Sequence, residues 1–157
     1  MAVNYWLFKT EPGTYAWEDL VADGSTCWEG IRNYQARNIL RDDVRLDDAV
    51  FVYHSVVQPQ VIAGIARVVR EAYPDHFALD PSSPYFDPKA TAADPRWVMV
   101  DIEPVRGIDP PITRDELKVV PELEGMMLLK KGSRLSVQPV STDEAVAILG
   151  LRGIDVP

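Results

Sequence analysis

Trp28-Glu29-Gly30-Ile31-Arg32-Asn33-Tyr34-Gln35-Ala36-Arg37-Asn38 is the stretch on which the reading of this chain turns. It gathers two aromatics, two arginines and two asparagines around a single glycine. Side chains of these types can stack on a flat ring, read its hydrogen-bonding edge and hold a neighbouring phosphate. From Gly30 onward the spacing predicts a helix, with Ala36, Ile39 and Leu40 at i, i+3 and i+4 as its buried stripe. Asn33, Arg37 and Arg41 succeed one another at i+4 on a different side, and Tyr34 and Asn38 make a second such pair. An ordinary amphipathic helix with a solvated basic face accounts for the same pattern equally well.

The bulk properties narrow the classes around this segment. A chain of 157 residues is most simply one domain, spanning 1–157, large enough for a core without disulfides or metal. At 46% hydrophobic and 25% charged it has ordinary soluble usage, and its apolar runs fall far short of the ~20 residues of a membrane span. The N-terminus has no basic region of the signal-peptide kind. Cys27 is the single cysteine, which excludes an internal disulfide and any multi-cysteine zinc site and fits a reducing cytoplasm. The net charge of -8 counts against a broad phosphate-gripping surface, while leaving room for a pocket that takes one base beside a local arginine cluster.

Outward from Trp28, the chain reads as strands with small helices around them. Tyr5-Trp6-Leu7-Phe8-Lys9 is a short interior strand, stopped by Glu11-Pro12-Gly13, that delivers Lys9 and Glu11 to a rim. Tyr15 to Leu20 predicts a short helix, and Asp23-Gly24-Ser25 a turn. Ala49 to Ser55 is a strand buried on both faces, with His54 and Ser55 at its exit. Val61 to Val69 fits a helix by periodicity and a strand by its β-branched content and Gly64. The proline-rich excursion from Tyr73 to Pro88 carries four aromatics, which argues for an ordered loop. Trp97 to Ile102 alternates as a strand that Glu103-Pro104 ends. Gly125 to Leu129 is core packing, and Ser133 to Val140 the last strand. Thr113-Arg114-Asp115-Glu116 and Ser141-Thr142-Asp143-Glu144 have the capping-box form, each opening a helix, the second running through Leu149 to a stop at Gly150.

Lys9-Thr10-Glu11-Pro12, Trp28 through Asn38, Tyr53-His54-Ser55, Tyr73-Pro74-Asp75, Trp97 with its strand and Ser133-Arg134-Leu135-Ser136-Val137 together resemble the motifs of EVE domains, in order and over nearly the whole chain. One departure concerns turn geometry: Asp47-Asp48 stands where the family tends to have Gly-Asp. The resemblance implies an α+β, PUA-like fold, a small mixed β-barrel decorated by short helices and related to YTH and ASCH domains. It also tips the Val61 segment towards strand. It implies a reader, not a catalyst, with a pocket for a modified nucleobase such as methylated or hydroxymethylated cytosine.

Under that resemblance the ligand-binding candidates take definite roles. Trp28 stacks on the base unless it is core filler, Arg32 and Arg37 reach phosphate or a base edge unless a nearby acid such as Glu11 or Glu29 claims one of them, and Asn33 and Asn38 read the edge unless they cap a helix or hold a turn. Tyr34 sits beside them. Lys9 reaches the rim; Tyr53, His54 and Ser55 come off a strand end, where a satisfied structural histidine accounts for His54 as well; Tyr73, Tyr85 and Trp97 close the far side, unless Trp97 is plain core; Ser133 and Arg134 follow Lys130-Lys131-Gly132 as a patch for backbone phosphate. The expected function is a non-catalytic domain that holds a modified or flipped base of DNA or RNA, as a monomer, with no cofactor or metal. The rival readings are an enzyme acting on a nucleotide or base, for which two histidines without His-x-Glu or Cys-x-x-Cys spacing offer little, and a protein-interaction module.

Overall fold

Strands Tyr5–Thr10 (β1) and Ala49–His54 (β3) pair in parallel, Tyr5 opposite Ala49 and Thr10 opposite His54, and form the middle of the molecule. The computed structural model describes residues 3–157, so Met1 and Ala2 of the N-terminal reading lie outside the described residues. Around that pair, Thr26–Cys27 (β2), Val61–Pro74 (β4), Val98–Thr113 (β5) and Val137–Val140 (β6) complete one six-stranded mixed sheet in the order β2-β5-β4-β3-β1-β6. The sheet is open: β2 and β6 are its edges, and no ladder joins them among the described residues. The α+β class holds, while closure of the barrel is not seen in the strand pairing.

The period-2 alternation of β1 and β3 divides the core into two faces. Tyr5, Leu7, Ala49, Phe51 and Tyr53 point to one, where Arg114–Lys118 (α3), Thr142–Gly150 (α4) and the 3-10 turns Pro121–Leu123 and Met127–Leu129 cover them. Trp6, Phe8, Val50 and Val52 point to the other, under Trp17–Asp23 (α1) and Tyr34–Asp42 (α2). Both faces of β3 are thus buried, as its unbroken apolar run implies. Met126 and Leu128 fill the first face, and both capping boxes form, at Thr113 and Ser141.

Val61–Pro74 is a strand throughout. At Gly64 a Cβ would stand 2.5 Å from the Trp17 indole, so the glycine that weakened a helical reading is where the α1 ring packs onto the sheet. Several boundaries differ from expectation. β5 does not stop at Glu103-Pro104; its register with β4 shifts there, absorbing the missing proline N–H, and pairing resumes to Thr113. β6 starts at Val137, because Ser133 to Ser136 form a loop held by side-chain bonds. α1 starts at Trp17, where the Asp19 carboxylate accepts the Ala16 N–H at 2.7 Å, and α4 takes in Gly150. Asp47 adopts φ 70, the left-handed conformation suited to a glycine at this turn, and buried Asp48 anchors it by accepting from Asn4 N, Trp6 Nε1 and Arg45 N.

Candidate functional site

The two sheet edges do not meet, and the gap near one end of the sheet is a cavity of about 470 Å³. One bank is the end of β1 and the turn after it, Lys9 to Tyr15, together with Ser136, whose carbonyl accepts from Lys9 N. The other bank is β2 and its continuation, Thr26 to Ile31, and Tyr85 of the proline-rich excursion contributes to the wall. Trp28 N–H donates to Val100 O at 2.7 Å, which extends the β2 pairing and pins the indole. The ring packs on Phe8 (centroids 5.6 Å) and meets Tyr15 edge-on (6.2 Å), so a core aromatic also presents surface to the cavity.

Gly30 decides how the far wall is built. Its φ of +86 turns the chain away from β2, and a Cβ there would come within 2.7 Å of the Tyr85 ring. Asp75, wholly buried, accepts from Gly30 N at 3.0 Å, Arg32 Nη1 at 2.9 Å and Phe77 N at 3.0 Å. Arg32 in turn donates through Nε and Nη2 to Tyr85 O at 3.0 and 2.7 Å. One carboxylate therefore holds both the bend at Gly30 and the arginine that clasps Tyr85. The helix does not begin at Gly30, because this bend and the Asn33 cap intervene; Asn33 Oδ1 accepts from Ala36 N and α2 starts at Tyr34.

Of the candidate binding residues, Lys9, Trp28 and Tyr85 line the cavity. The others are placed elsewhere, each for a visible reason. Arg32 is committed to Asp75 and Tyr85, not to Glu11 or Glu29. Tyr34 stacks on Trp97 at 4.8 Å, with the Arg37 guanidinium 4.7 Å over the Tyr34 ring. Arg37 donates to Arg96 O and to Asn38 Oδ1, which occupies Asn38 as well. Trp97 is buried beside Ala78 and Ala90 and donates through Nε1 to Asp87 at 2.7 Å.

Tyr53 is fully buried with its hydroxyl on Gln60, and Tyr73 bonds Asp101 beneath the Arg70 guanidinium. His54 Nε2 accepts the Trp17 N–H at 3.0 Å, and burial holds its pKa below the ordinary value. Ser55 bonds Thr10 O. Ser133 takes the Lys9 ammonium on its carbonyl at 3.3 Å and a Gln138 amide on its hydroxyl, while Arg134 is exposed two residues from the rim at Ser136.

The chain also places on the cavity residues that pattern reading did not put there: Tyr15, Thr26, Cys27 and Glu29. A two-residue strand leaves almost no periodic signal, so Thr26 and Cys27 could not be assigned a face beforehand. Cys27 Sγ donates to Glu29 Oε2 at 3.6 Å, and burial together with that carboxylate pushes the thiol up to about 11. Burial likewise raises the Tyr15 phenol to about 12, despite a hydrogen bond that favours ionisation, and lowers the Lys9 ammonium. Among the described residues no group of three or more His, Cys, Asp or Glu is placed to hold a metal, and no helix is long and apolar enough to cross a membrane.

The molecule is thus a mixed open sheet with short helices on both faces and an aromatic-lined cavity between its edges. The chain belongs to the EVE domain family, whose model matches residues 4–151. Thymocyte nuclear protein 1 of Mus musculus is 40% identical to it, over 94% of this chain and 73% of the mouse protein. The crystal structure of a Pseudomonas syringae protein superposes with a TM-score of 0.90 at 45% identity, covering 94% of this chain and 99% of that one. Human THYN1 protein in complex with 5-methylcytosine containing DNA superposes with a TM-score of 0.88 at 37% identity, covering 98% and 99%.

Proposed function

We propose that the cavity holds a single modified base, 5-methylcytosine in DNA, turned out of its stack, and that the domain is a non-catalytic reader. The observation that carries this reading is the Trp28 indole, fixed by the sheet on one side and bordering the cavity on the other. A flipped base costs a few kcal/mol to extrude, and a preformed aromatic wall returns about 1–3 kcal/mol by stacking. The human relative in complex with 5-methylcytosine containing DNA supports the choice of base. The surroundings suit limited phosphate contact: Lys9 lies on the cavity, and Lys130, Lys131 and Arg134 are exposed in the loop leading to Ser136. So few cations, on a chain of net charge -8, fit a shallow salt dependence, a slope near -0.9 per phosphate neutralised. The domain acts as a monomer in this reading, and the free thiol of Cys27 suits the cytoplasm.

A catalytic reading finds less support in this geometry. The Cys27 thiol stays protonated at neutral pH and is therefore a poor nucleophile, and His54 is turned away to cap α1. The test is a panel of short DNA and RNA oligonucleotides carrying cytosine, 5-methylcytosine or 5-hydroxymethylcytosine at one position, titrated by fluorescence anisotropy. Tightest binding to 5-methylcytosine DNA, weakened ~5- to 150-fold in Trp28→Ala with the fold retained, is the expected result. Equal affinity for every oligonucleotide, untouched by that substitution, would sink the proposal.

A further inference from the structure

We propose that Glu29 is the residue that selects a cytosine-type base, by accepting a hydrogen bond from the 4-amino group of the pyrimidine stacked on Trp28. This inference rests on the pocket reading above. Glu29 follows Trp28 directly, lines the cavity and is half-buried there. Its Oε2 accepts from the Cys27 thiol, and Oε1 has neither a hydrogen bond nor an ion pair among the described residues. The arginine within sequence reach, Arg32, has been taken by Asp75 and Tyr85, which leaves Glu29 with no cation. The thiol stays a donor at neutral pH because burial and the carboxylate itself resist its ionisation. Cys27 thus orients one oxygen and leaves the other to the cavity.

An ionised carboxylate can only accept. Cytosine and 5-methylcytosine offer an amino donor at position 4, whereas thymine and uracil offer a carbonyl oxygen there, which would face the carboxylate acceptor to acceptor. A methyl group alone does not separate 5-methylcytosine from thymine, since both carry it at position 5, so a reader of methylated cytosine needs a group of this kind. Lys9, the one cation among the lining residues, stands on the opposite bank and supplies a donor for a ring oxygen or phosphate.

The experiment compares two duplexes identical except for 5-methylcytosine or thymine at one position, each opposite an abasic site so that extrusion is similarly easy, against wild type and Glu29→Gln. Glutamine keeps the shape, but its amide can turn either its oxygen or its nitrogen to the base, with the other end on Cys27. Wild type is expected to favour 5-methylcytosine by about 10-fold or more, and Glu29→Gln to narrow the preference to about 2-fold, mainly by gaining affinity for thymine. Trp28→Ala serves as the control for the pocket itself. A preference that survives Glu29→Gln while Trp28→Ala weakens both duplexes would overturn the role of Glu29 and leave the pocket standing. Wild type that binds neither duplex would overturn the pocket reading and this proposal with it.

Discussion

Two aromatic clusters lie on either side of the Gly30 bend, and they do different work. Trp28 with Phe8 and Tyr15 has packing on one side and the cavity on the other. Tyr34 with Trp97 is occupied from within the protein: the rings stack at 4.8 Å, Arg37 lies over Tyr34, and Asp87 takes the Trp97 N–H. One ring of each, Trp28 and Tyr34, comes from the same continuous motif, and guanidinium groups lie over the second cluster, Arg37 over Tyr34 and Arg32 over Trp97. What separates them is whether the polar groups already have partners. Arg32 and Arg37 spend their hydrogen bonds inside the protein, Arg32 on Asp75 and Tyr85 and Arg37 on Asn38 and Arg96, whereas Trp28, Lys9 and Glu29 line the cavity. A basic aromatic motif can therefore be half wall and half clamp.

The sharpest way to break this division is at Asp75, which serves both halves. Asp75→Ala should cost about 3 kcal/mol in urea unfolding, since it removes a buried carboxylate and strands the Arg32 guanidinium, itself partly exposed. Binding should fall as well, because Gly30 and Tyr85 lose their common anchor. If stability and binding are both unchanged, the clamp is not what holds the wall. Gly30→Ala acts on the wall more directly. Left-handed backbone costs a residue with a Cβ roughly 1–2 kcal/mol, and the added atom must displace Tyr85, so affinity for 5-methylcytosine DNA should drop more than stability. Parallel losses in the two would show that Tyr85 does not shape the pocket.

Tyr34→Ala sharpens the comparison from the other side. It removes an aromatic stack and a cation–π contact at a largely exposed site, which should lower stability by about 1 kcal/mol and leave affinity within roughly 2-fold. A large loss of affinity would move Tyr34 from clamp to contact surface.

The smallest effect expected is at His54, which belongs to neither cluster and does not line the cavity. Its folded pKa lies below the unfolded value of about 6.5, so the unfolded chain takes up the proton first. This residue's contribution is then complete above that pH and declines as pH falls through it towards the folded pKa. His54→Gln, whose carbonyl can accept the Trp17 N–H without titrating, should make the decline of the urea midpoint between pH 7.5 and 5 shallower. An identical pH profile in the variant would refute the buried neutral imidazole.

Much of the fold was legible because strong local signals agreed with the tertiary result. The apolar run at Val50 to Tyr53 and the Thr113 and Ser141 capping boxes needed no long-range information. Val61–Pro74 was decided less by its pattern, which fits two periods, than by the family resemblance, and the reason for Gly64 lies far off in the chain, at Trp17 of α1. The continuation of β5 past Pro104 was hidden because a register shift has no local signature.

The site was legible only in part. Lys9, Trp28 and Tyr85 were foreseen as pocket residues, but the partners that occupy Arg32, Arg37, Tyr53 and His54 lie up to 59 positions away in the chain, beyond any spacing rule. Glu29 was visible as an acid beside Trp28; that Arg32 does not pair with it depends on Asp75 having claimed that guanidinium.

The most direct test of the division between wall and clamp is the quenching of tryptophan fluorescence by 5-methylcytosine DNA in Trp28→Phe and Trp97→Phe, each checked for its fold by circular dichroism. Stacking of the base on Trp28 predicts that the saturable quench disappears in Trp28→Phe and persists in Trp97→Phe. A quench that survives in Trp28→Phe and vanishes in Trp97→Phe would contradict the account, since it would put the base on the cluster whose polar groups already have partners in the protein.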